Sequence, residues 1–430
     1  MATTLLNCQI VLSKDIGDYF AGTTTSATNA VTIVDTGLIA YPNDWITDFS
    51  WALLTSGSYS GQERKISTAS LVTTGSLTCG TFGGSVASGV TYEVHRLFSP
   101  AEKQRALIQG AKDIFGDCYD LVWNESIVSG NWLKDGSFET WNAGGTALTN
   151  WTANAIVASQ SSASNTFKHG SYSMLLTGTL GSVSQSISNY EDLKYLAGKT
   201  VMWSVQSRCN TASCLRLSVN DGTATTYSAY HTGGTSFTAN NLPMYVQATI
   251  DYNPTNISFG IHHQIAGGTS FVDDGRVISG YRDRLYIGNL GLAQNLPNEI
   301  LIEPSDYSQE EPWLQLHDWE VDEDGYLHLP SSVPNDYTLR IIGKQYLDFL
   351  VNGTSSTAGT ATINLNDPQT QILSAQTAVN LYKGMSMPNF ESGTRKDYQG
   401  MIGYWEAKVR ERKGRFGMPS LPVTISWGHE

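Results

Sequence analysis

The stretch Ser99 to Phe115, SPAEKQRALIQGAKDIF, constrains the fold more than any other part of the chain. Ser99 can cap a helix, Pro100 takes the first helical position where a missing N–H does no harm, and Glu102 completes a capping box. Leu107, Ile108, Ala111, Ile114 and Phe115 recur at helical spacing, so one face should bury while Lys103, Gln104, Arg105 and Lys112 stay in water. Such a helix needs an apolar partner. The best-suited stripes stand far down the chain, around Ile372 and Trp405, which predicts a small α-helical core interrupted by large insertions. The alternative is a local helix packed on the β-rich segment before it.

At 430 residues the chain has material for two to four domains. Charged residues make up 15% and glycines number 41, a composition that suits short strands and polar turns, so the fold class is multidomain and mainly β. A net charge of -13 argues against a general nucleic-acid binder, which needs a basic surface to displace phosphate counterions. The five cysteines form no C-x-x-C pair and join no histidines at zinc spacing. Reduced thiols are the expectation, and Cys209 and Cys214 are read as two buried thiols at a strand turn in preference to a small closed loop. The amino terminus shows no secretion signal, and no apolar run reaches the length of a membrane anchor.

Three regions follow. Residues 1–130 read as an N-terminal segment with a short helix over 13–20, a small β-barrel with strands near 51–54, 63–67, 76–82 and 90–96, and then the capped helix. SGSYSG at 56–61 places Tyr59 where a nucleophile elbow needs serine, and is set aside. In 131–283, apolar residues alternate over 200–205 and 215–219, and Asn220-Asp221-Gly222 is a turn, which predicts antiparallel strands of a β-sandwich. His262 and His263 alternate across a strand and make a poor metal site. Residues 284–430 open with strands and a hairpin around Asp324-Gly325, whose acids Asp322, Glu323 and Asp324 read as a solvated turn. After YTLRIIGKQYLDFL, a strand leading into a short helix, come two helices with apolar stripes. Ile372, Leu373, Ala375, Val379 and Tyr382 form the first stripe, and Tyr398, Met401, Ile402, Trp405 and Val409 the second. They pack as a C-terminal helical hairpin, followed by an extended tail. Lys408, Arg410, Arg412, Lys413 and Arg415 suit a helix C-terminus; lining a DNA channel is the alternative.

Two resemblances enter here. The order of GTTTSATNAVTIVDTGL, Asp44-Trp45, TSGSYSGQERKIS, TYEVHRLFSPAE and a helix, with LRIIGKQYLDFL, DPQTQILSAQTAVNLY and RERKGRFGMP near the other end, resembles structural proteins of tailed bacteriophages, and in particular head-to-tail adaptor subunits. That resemblance implies a homo-oligomeric ring, portal protein and tail or neck proteins as partners, and a terminal arm lent to a neighbour. Ile372, Tyr398, Trp405, Arg412, Arg415, Phe416 and Trp427 are then the candidate oligomer or portal contacts. The succession DGSFE, W, HGSYSM, SQSI, GKTV and FVDDG over 131–278 resembles the jelly-roll carbohydrate-binding modules of the family 4 and 9 type. It implies a structural calcium at Asp135, Glu139 and Asp273, for which the bland alternative is a set of turns. Sugars are held by flat rings, so Trp141, Trp151, Trp203, Tyr227 and Tyr230 are the candidates, although Trp203 lies inside an alternating strand where core packing is the ordinary role.

The expectation is a non-enzymatic virion subunit, assembled in the bacterial cytoplasm, that joins portal and tail as a neck ring and carries outward domains. It needs no cofactor. The alternatives are a glycan-binding fibre, collar or tail-tip protein that aids host adsorption, and a polysaccharide depolymerase, for which no pair of acid and nucleophile carboxylates stands out.

Overall fold

The computed structural model describes residues 3–418 apart from 48–49, 143, 164, 169, 179, 235–236, 238–242, 281, 304–312, 352–353 and 387–393, and apart from the side chains of 394–396. It is mainly β, and the contacts of the described residues divide it into two units, one from 1–120 with 346–418 and one from 121–345.

In the first unit the capped helix spans Pro100–Asp113. The Ser99 hydroxyl accepts from the Glu102 N–H and the Glu102 carboxylate accepts from the Ser99 N–H. Leu107, Ala111 and Ile114 share a core with Ile372, Leu373, Val379, Trp405 and Val409 from helices Thr370–Ser386 and Thr394–Phe416. These two helices pair as a hairpin, braced by Lys383 Nζ at 3.1 Å from Glu406. Their crossing with the capped helix is close: a Cβ on Gly110 would meet the Thr377 hydroxyl at 2.7 Å, so a larger residue there would force the helices apart. The amino-terminal helix runs over Leu5–Asp15, earlier than the 13–20 expected, because the Thr4 hydroxyl caps it and Leu5 and Leu12 anchor it in this core. The short helix expected directly after Thr338–Gln345 is not formed over 346–351; Leu347 and Phe349 are buried instead as fixed points of extended chain beside strand Leu350–Val351.

The same unit holds a six-stranded antiparallel sheet in the order Phe20–Thr23, Thr91–His95, Trp51–Leu54, Glu63–Ser70, Ser76–Cys79, Thr32–Val34. Its inner face buries Ile33, Leu54, Ile66, Leu77, Tyr92 and Val94. Lys103, expected in water, is fully buried. Its ammonium lies 2.8 Å from Asp18 and donates to the Ser13 hydroxyl and the Asp18 carbonyl, with His95 Nδ1 at 2.9 Å. The Asp18 carboxylate in turn accepts from the N–H groups of Arg96, Leu97 and Phe98. Helical periodicity put Lys103 on the wet face; a counter-charge from another element took it inside.

In the second unit two five-stranded antiparallel sheets form a sandwich. One has the order Val157–Ser161, Ser173–Thr177, Thr269–Ile278, Thr200–Cys209, Met244–Thr249. The other has the order Thr225–Tyr227, Leu215–Asn220, Ile257–His263, Gly181–Ile187, Thr152–Asn154. Trp132, Phe138, Trp151, Trp203, Leu217, Phe259 and Ile261 belong to the shared core. A smaller β region completes the unit, its core built on Leu285, Ile287, Ile300, Leu327, Leu339 and Ile341. There the acids at 322–324 form the predicted turn: Gly325 takes a φ of 79°, and Asp322 accepts from the Tyr326 N–H at 2.8 Å. Strand Asp120–Val128 joins this region, pairing in a sheet with Thr338–Gln345.

Asp18→Asn leaves the Lys103 ammonium in the interior without its countercharge, and the expected loss is about 3–5 kcal/mol in urea unfolding of the chain. Lys112→Gln on the exposed side of the same helix should stay within about 0.5 kcal/mol.

Candidate functional site

Strand parity builds the site. Leu215, Leu217 and Val219, and Ile257, Phe259 and Ile261, point into the sandwich, so Arg216, Ser218 and Asn220 and Ser258, Gly260 and His262 must point out. Antiparallel register sets Arg216, His262, Ser182 and Asn154 in one row, and Tyr227, Ser218, Gly260, Ser184 and Thr152 in the next. The outer face of this sheet is a polar shelf of hydroxyls and amides with one guanidinium and one imidazole.

Within the shelf, the Ser218 hydroxyl and His262 Nε2 are 2.8 Å apart. A Cβ on Gly260 would stand 2.5 Å from that hydroxyl and 3.0 Å from that nitrogen, so the pair depends on glycine between them. Burial and the neighbouring Arg216 charge both lower the His262 pKa, which favours the neutral imidazole, able to accept as well as donate. The Arg216 guanidinium carbon lies 3.9 Å from the centre of the Tyr227 ring and 5.3 Å from that of Tyr230, and its buried Nε has no hydrogen-bond partner.

Strand Thr225–Tyr227 is the edge of the shelf, and Met244–Thr249 is the edge of the opposite sheet. Between them opens a cleft of about 380 Å³ lined by Tyr227, Tyr230, Met244, Tyr245 and Gln247 among others. Tyr227, Tyr230 and Tyr245 are 44%, 46% and 63% exposed. Three accessible rings beside oriented hydroxyl, amide and guanidinium groups suit a flat, polyhydroxylated ligand, whose C–H faces stack on rings and whose hydroxyls both donate and accept.

Of the five aromatic residues singled out by sequence, the structure brings Tyr227 and Tyr230 to one site and removes the tryptophans from it. Trp203 is fully buried and its indole N–H donates to the Gly260 carbonyl. Trp151 is buried against Phe138, 5.0 Å between rings, and donates to the Asp135 carbonyl. Trp141 is half-buried against the same core and donates to the Phe138 carbonyl. A ring packed on both faces cannot stack on a ligand, which corrects the expectation for Trp151 and Trp203. Sequence reading missed Tyr245, Arg216 and His262 as site residues. The alternation of Met244–Thr249, with Val246 and Ala248 buried, was the signal for Tyr245.

The three acids expected at calcium lie elsewhere in the sandwich. Asp135 accepts from the Glu139 and Thr140 N–H groups, Glu139 from those of Ser171 and Tyr172, and Asp273 from those of Lys168 and Asp274. The donor set is all oxygen, as calcium prefers. Yet among the described residues the set of three His, Cys, Asp or Glu ligand atoms lying within 4.8 Å of one another is Cys209, Cys214 and His231, so the acids are not gathered into a cage. Cys209 and Cys214 form a disulfide, which corrects the expectation of two thiols; their Cα atoms, brought to 6.4 Å by the turn, stand at a separation that a disulfide spans. The other three cysteines are free and buried.

The expected contact residues of the first unit divide between its core and its surface. Ile372 and Trp405 are buried in the helical core, which corrects their expectation as oligomer or portal contacts, while Tyr398 and Phe416 are half-buried against that core. Arg412 binds Asp15 at 2.9 Å and the Gln371 carbonyl, Lys413 pairs with Asp117, and the more exposed Arg415 lies 3.3 Å from Glu411. Trp427 lies outside the described residues.

No family model matches this chain, and no curated protein matches it. Solved structures that match include a family 61 carbohydrate-binding module in complex with β-1,4-galactotriose, at 18% identity and a TM-score of 0.27 over 35% of this chain and 99% of that one. The family 22 xylan-binding domain from Paenibacillus barcinonensis Xyn10C matches at 18% identity and a TM-score of 0.27, over 36% of this chain and 99% of that one. The enzymatically active domain of tailspike protein 4 of bacteriophage CBA120 matches at 14% identity and a TM-score of 0.27, over 35% of this chain and 21% of that one. No ligand or role is carried over from likenesses of this size.

Burial pushes the Asp135 carboxyl up to about 6, against the opposing pull of its backbone N–H partners. Glu139 is pushed up to about 7, by burial first and also by the charges of Asp273 and Asp135, while the Tyr172 and Ser171 N–H groups pull it down. Both folded pKa values exceed the unfolded ones, so the folded chain holds these protons more tightly. The resulting stabilisation is complete below about pH 4 and is lost as pH rises through 6 to 7. Glu139→Gln keeps the acceptor oxygen and removes the titration. In chelator-containing buffer, thermal unfolding should show the variant gaining stability relative to the parent between pH 5 and pH 8. A constant difference across that range would refute this assignment.

Proposed function

We propose that this chain is a non-catalytic glycan-binding protein, with its sugar site in the cleft between the two sheet edges and on the adjoining polar shelf. The observation that carries this reading is the convergence of Tyr227, Tyr230 and Tyr245, all exposed, on one cleft beside Arg216, Ser218 and His262. Rings supply stacking area at small conformational cost, and the shelf supplies the donors and acceptors that orient a sugar. The order of sequence segments that resembles tailed-phage structural proteins supports a place on a phage particle, where such a site would aid adsorption to a host surface.

A second reading, a ring-forming adaptor at the neck, draws on one observation: helices from both ends of the chain close a single core around their insertions. Under either reading the first unit is the assembly part and the sandwich carries the sugar site. A structural calcium at Asp135, Glu139 and Asp273 belongs to the proposal as a brace for the sandwich and not as part of the sugar site. It would offset the repulsion among buried carboxylates, and binding it requires the three acids to draw closer than they stand here.

A glycan array on the full chain should give selective binding to a limited set of oligosaccharides. Tyr227→Ala, Tyr230→Ala and Tyr245→Ala should each weaken the best ligand by about tenfold or more in calorimetry, with unfolding temperature unchanged. Binding that survives all three substitutions would overturn the site. Gold-labelled antibody to 131–278 on particles would separate the two placements, with label at the tail tip for adsorption and at the neck for the adaptor.

A further inference from the structure

The second unit holds another cleft, which shares no lining residue with the tyrosine cleft, although Thr152 and Ser184 at the far end of the shelf border it. It has a volume of about 440 Å³, within the range of small-molecule sites, and Arg282 lines it together with Trp132, Lys134, Asn150, Asp192 and Tyr326. It is formed where the sandwich meets the smaller β region of the same unit.

Its polar groups are unevenly satisfied. The Arg282 side chain is only 8% exposed. Its guanidinium carbon lies 4.0 Å from the centre of the Trp132 ring, and Asp192 approaches Nη2 at 3.9 Å, beyond hydrogen-bond reach. Nη1 is buried and has no hydrogen-bond partner. Asn150 Nδ2, on the same cleft, is a second buried donor with no partner. A guanidinium buried to this degree ordinarily has its N–H groups bonded, and an unbonded one forgoes a hydrogen bond that a ligand acceptor would restore.

The surroundings hold this arrangement in place. The Gln185 carboxamide oxygen accepts from the Lys134 N–H at 2.7 Å, and its nitrogen donates to the Lys134 carbonyl at 2.8 Å and the Asn150 carbonyl at 3.0 Å. The backbones of Lys134 and Asn150 are thus tied to one side chain. The Lys134 ammonium sits 4.6 Å from the Tyr286 ring centre and 5.4 Å from that of Tyr326, which keeps a second cation at the cleft. Asp192 is the acid on its lining; Glu191 and Asp324 line the neighbouring hollow with Arg284.

We propose that this cleft is a second ligand site, which takes the carboxylate of an acidic sugar. Arg282 Nη1 and Asn150 Nδ2 donate to the carboxylate, and Lys134 supplies a second positive charge. A carboxylate meets the need better than a sugar hydroxyl because both unsatisfied groups are donors and two cations converge. Asp192, Ser184, Ser186 and Asn189 on the same lining offer acceptors and donors to the hydroxyls of the ring that bears it. This site stands whether or not the tyrosine cleft binds a glycan.

The test is titration calorimetry of the full chain with digalacturonate, a hyaluronan tetrasaccharide and sialyllactose, each compared with galactobiose, cellobiose or lactose as a neutral counterpart. At least one acidic sugar should bind, and its neutral counterpart should bind about tenfold more weakly or not at all. Arg282→Gln should abolish that preference. Because Arg282 also packs on Trp132, Asn150→Asp provides a second variant at a half-buried position. Its added charge should weaken the acidic sugar by at least about tenfold, while Tyr227→Ala leaves it unchanged. Failure of all three acidic sugars to bind, equal binding of acidic and neutral partners, or full retention of binding in a folded Asn150→Asp protein would overturn the proposal. So would displacement of the sugar by acetate at equal concentration, which would mark the cleft as a site for any small anion.

Discussion

The strict alternation of side chains along Leu215–Asn220 and Ile257–His263 is the constraint on which both the sandwich and its outer polar shelf depend. Burying Leu217, Phe259 and Ile261 on one side leaves Ser218, Gly260 and His262 no choice of face, and antiparallel register then lines them up with their neighbours. A slip of one residue would send the shelf into the core and the core into water. The energy that fixes the polar site is therefore hydrophobic: several fully buried apolar side chains, each contributing about 1.5–3 kcal/mol, hold groups that contribute little themselves.

The same alternation accounts for what was legible in the sequence. Local rules gave the capped helix almost to the residue, the strand at 51–54 and the turn at Asp324-Gly325, since cap, periodicity and turn chemistry act within a few residues. Features that depend on partners distant in sequence were read less well. Lys103 looked wet because its own helix gives it no companion; Asp18 and His95, from other segments, give it three. The tryptophans were misplaced for a related reason. A large ring suits a sugar platform and a core equally by type, and only the opposite sheet decides which. Trp203 meets Phe259 at 6.2 Å across the sandwich and is lost to solvent. Tyr227 and Tyr230 keep exposed rings because they stand outside that packing.

Long insertions between helices that meet are thermodynamically tolerable, because the entropy of closing a loop rises only with the logarithm of its length. This explains how Pro100–Asp113 and Thr370–Ser386 share one core although an entire second unit separates them in sequence. The helical core needs from that insertion only that its two ends return to the same place. The insertion, with its own cores, is correspondingly free to vary its surface, and both clefts lie on it.

The position of the tyrosine cleft follows from the way a sandwich ends. Strands Thr225–Tyr227 and Met244–Thr249 are the last of their sheets, and an edge strand presents unpaired backbone groups that invite association with another chain. Rings on both edges cover part of that hazard, and Arg216, reaching over Tyr227 from the adjoining strand, adds a charge that opposes strand addition. Among the described residues no further strand pairs with either edge, whereas any aromatic residue one strand inward would have flanking strands on both sides. A short edge is thus where a sandwich can show several aromatic faces at once without diminishing its core, and the oriented donors of the shelf begin one strand away.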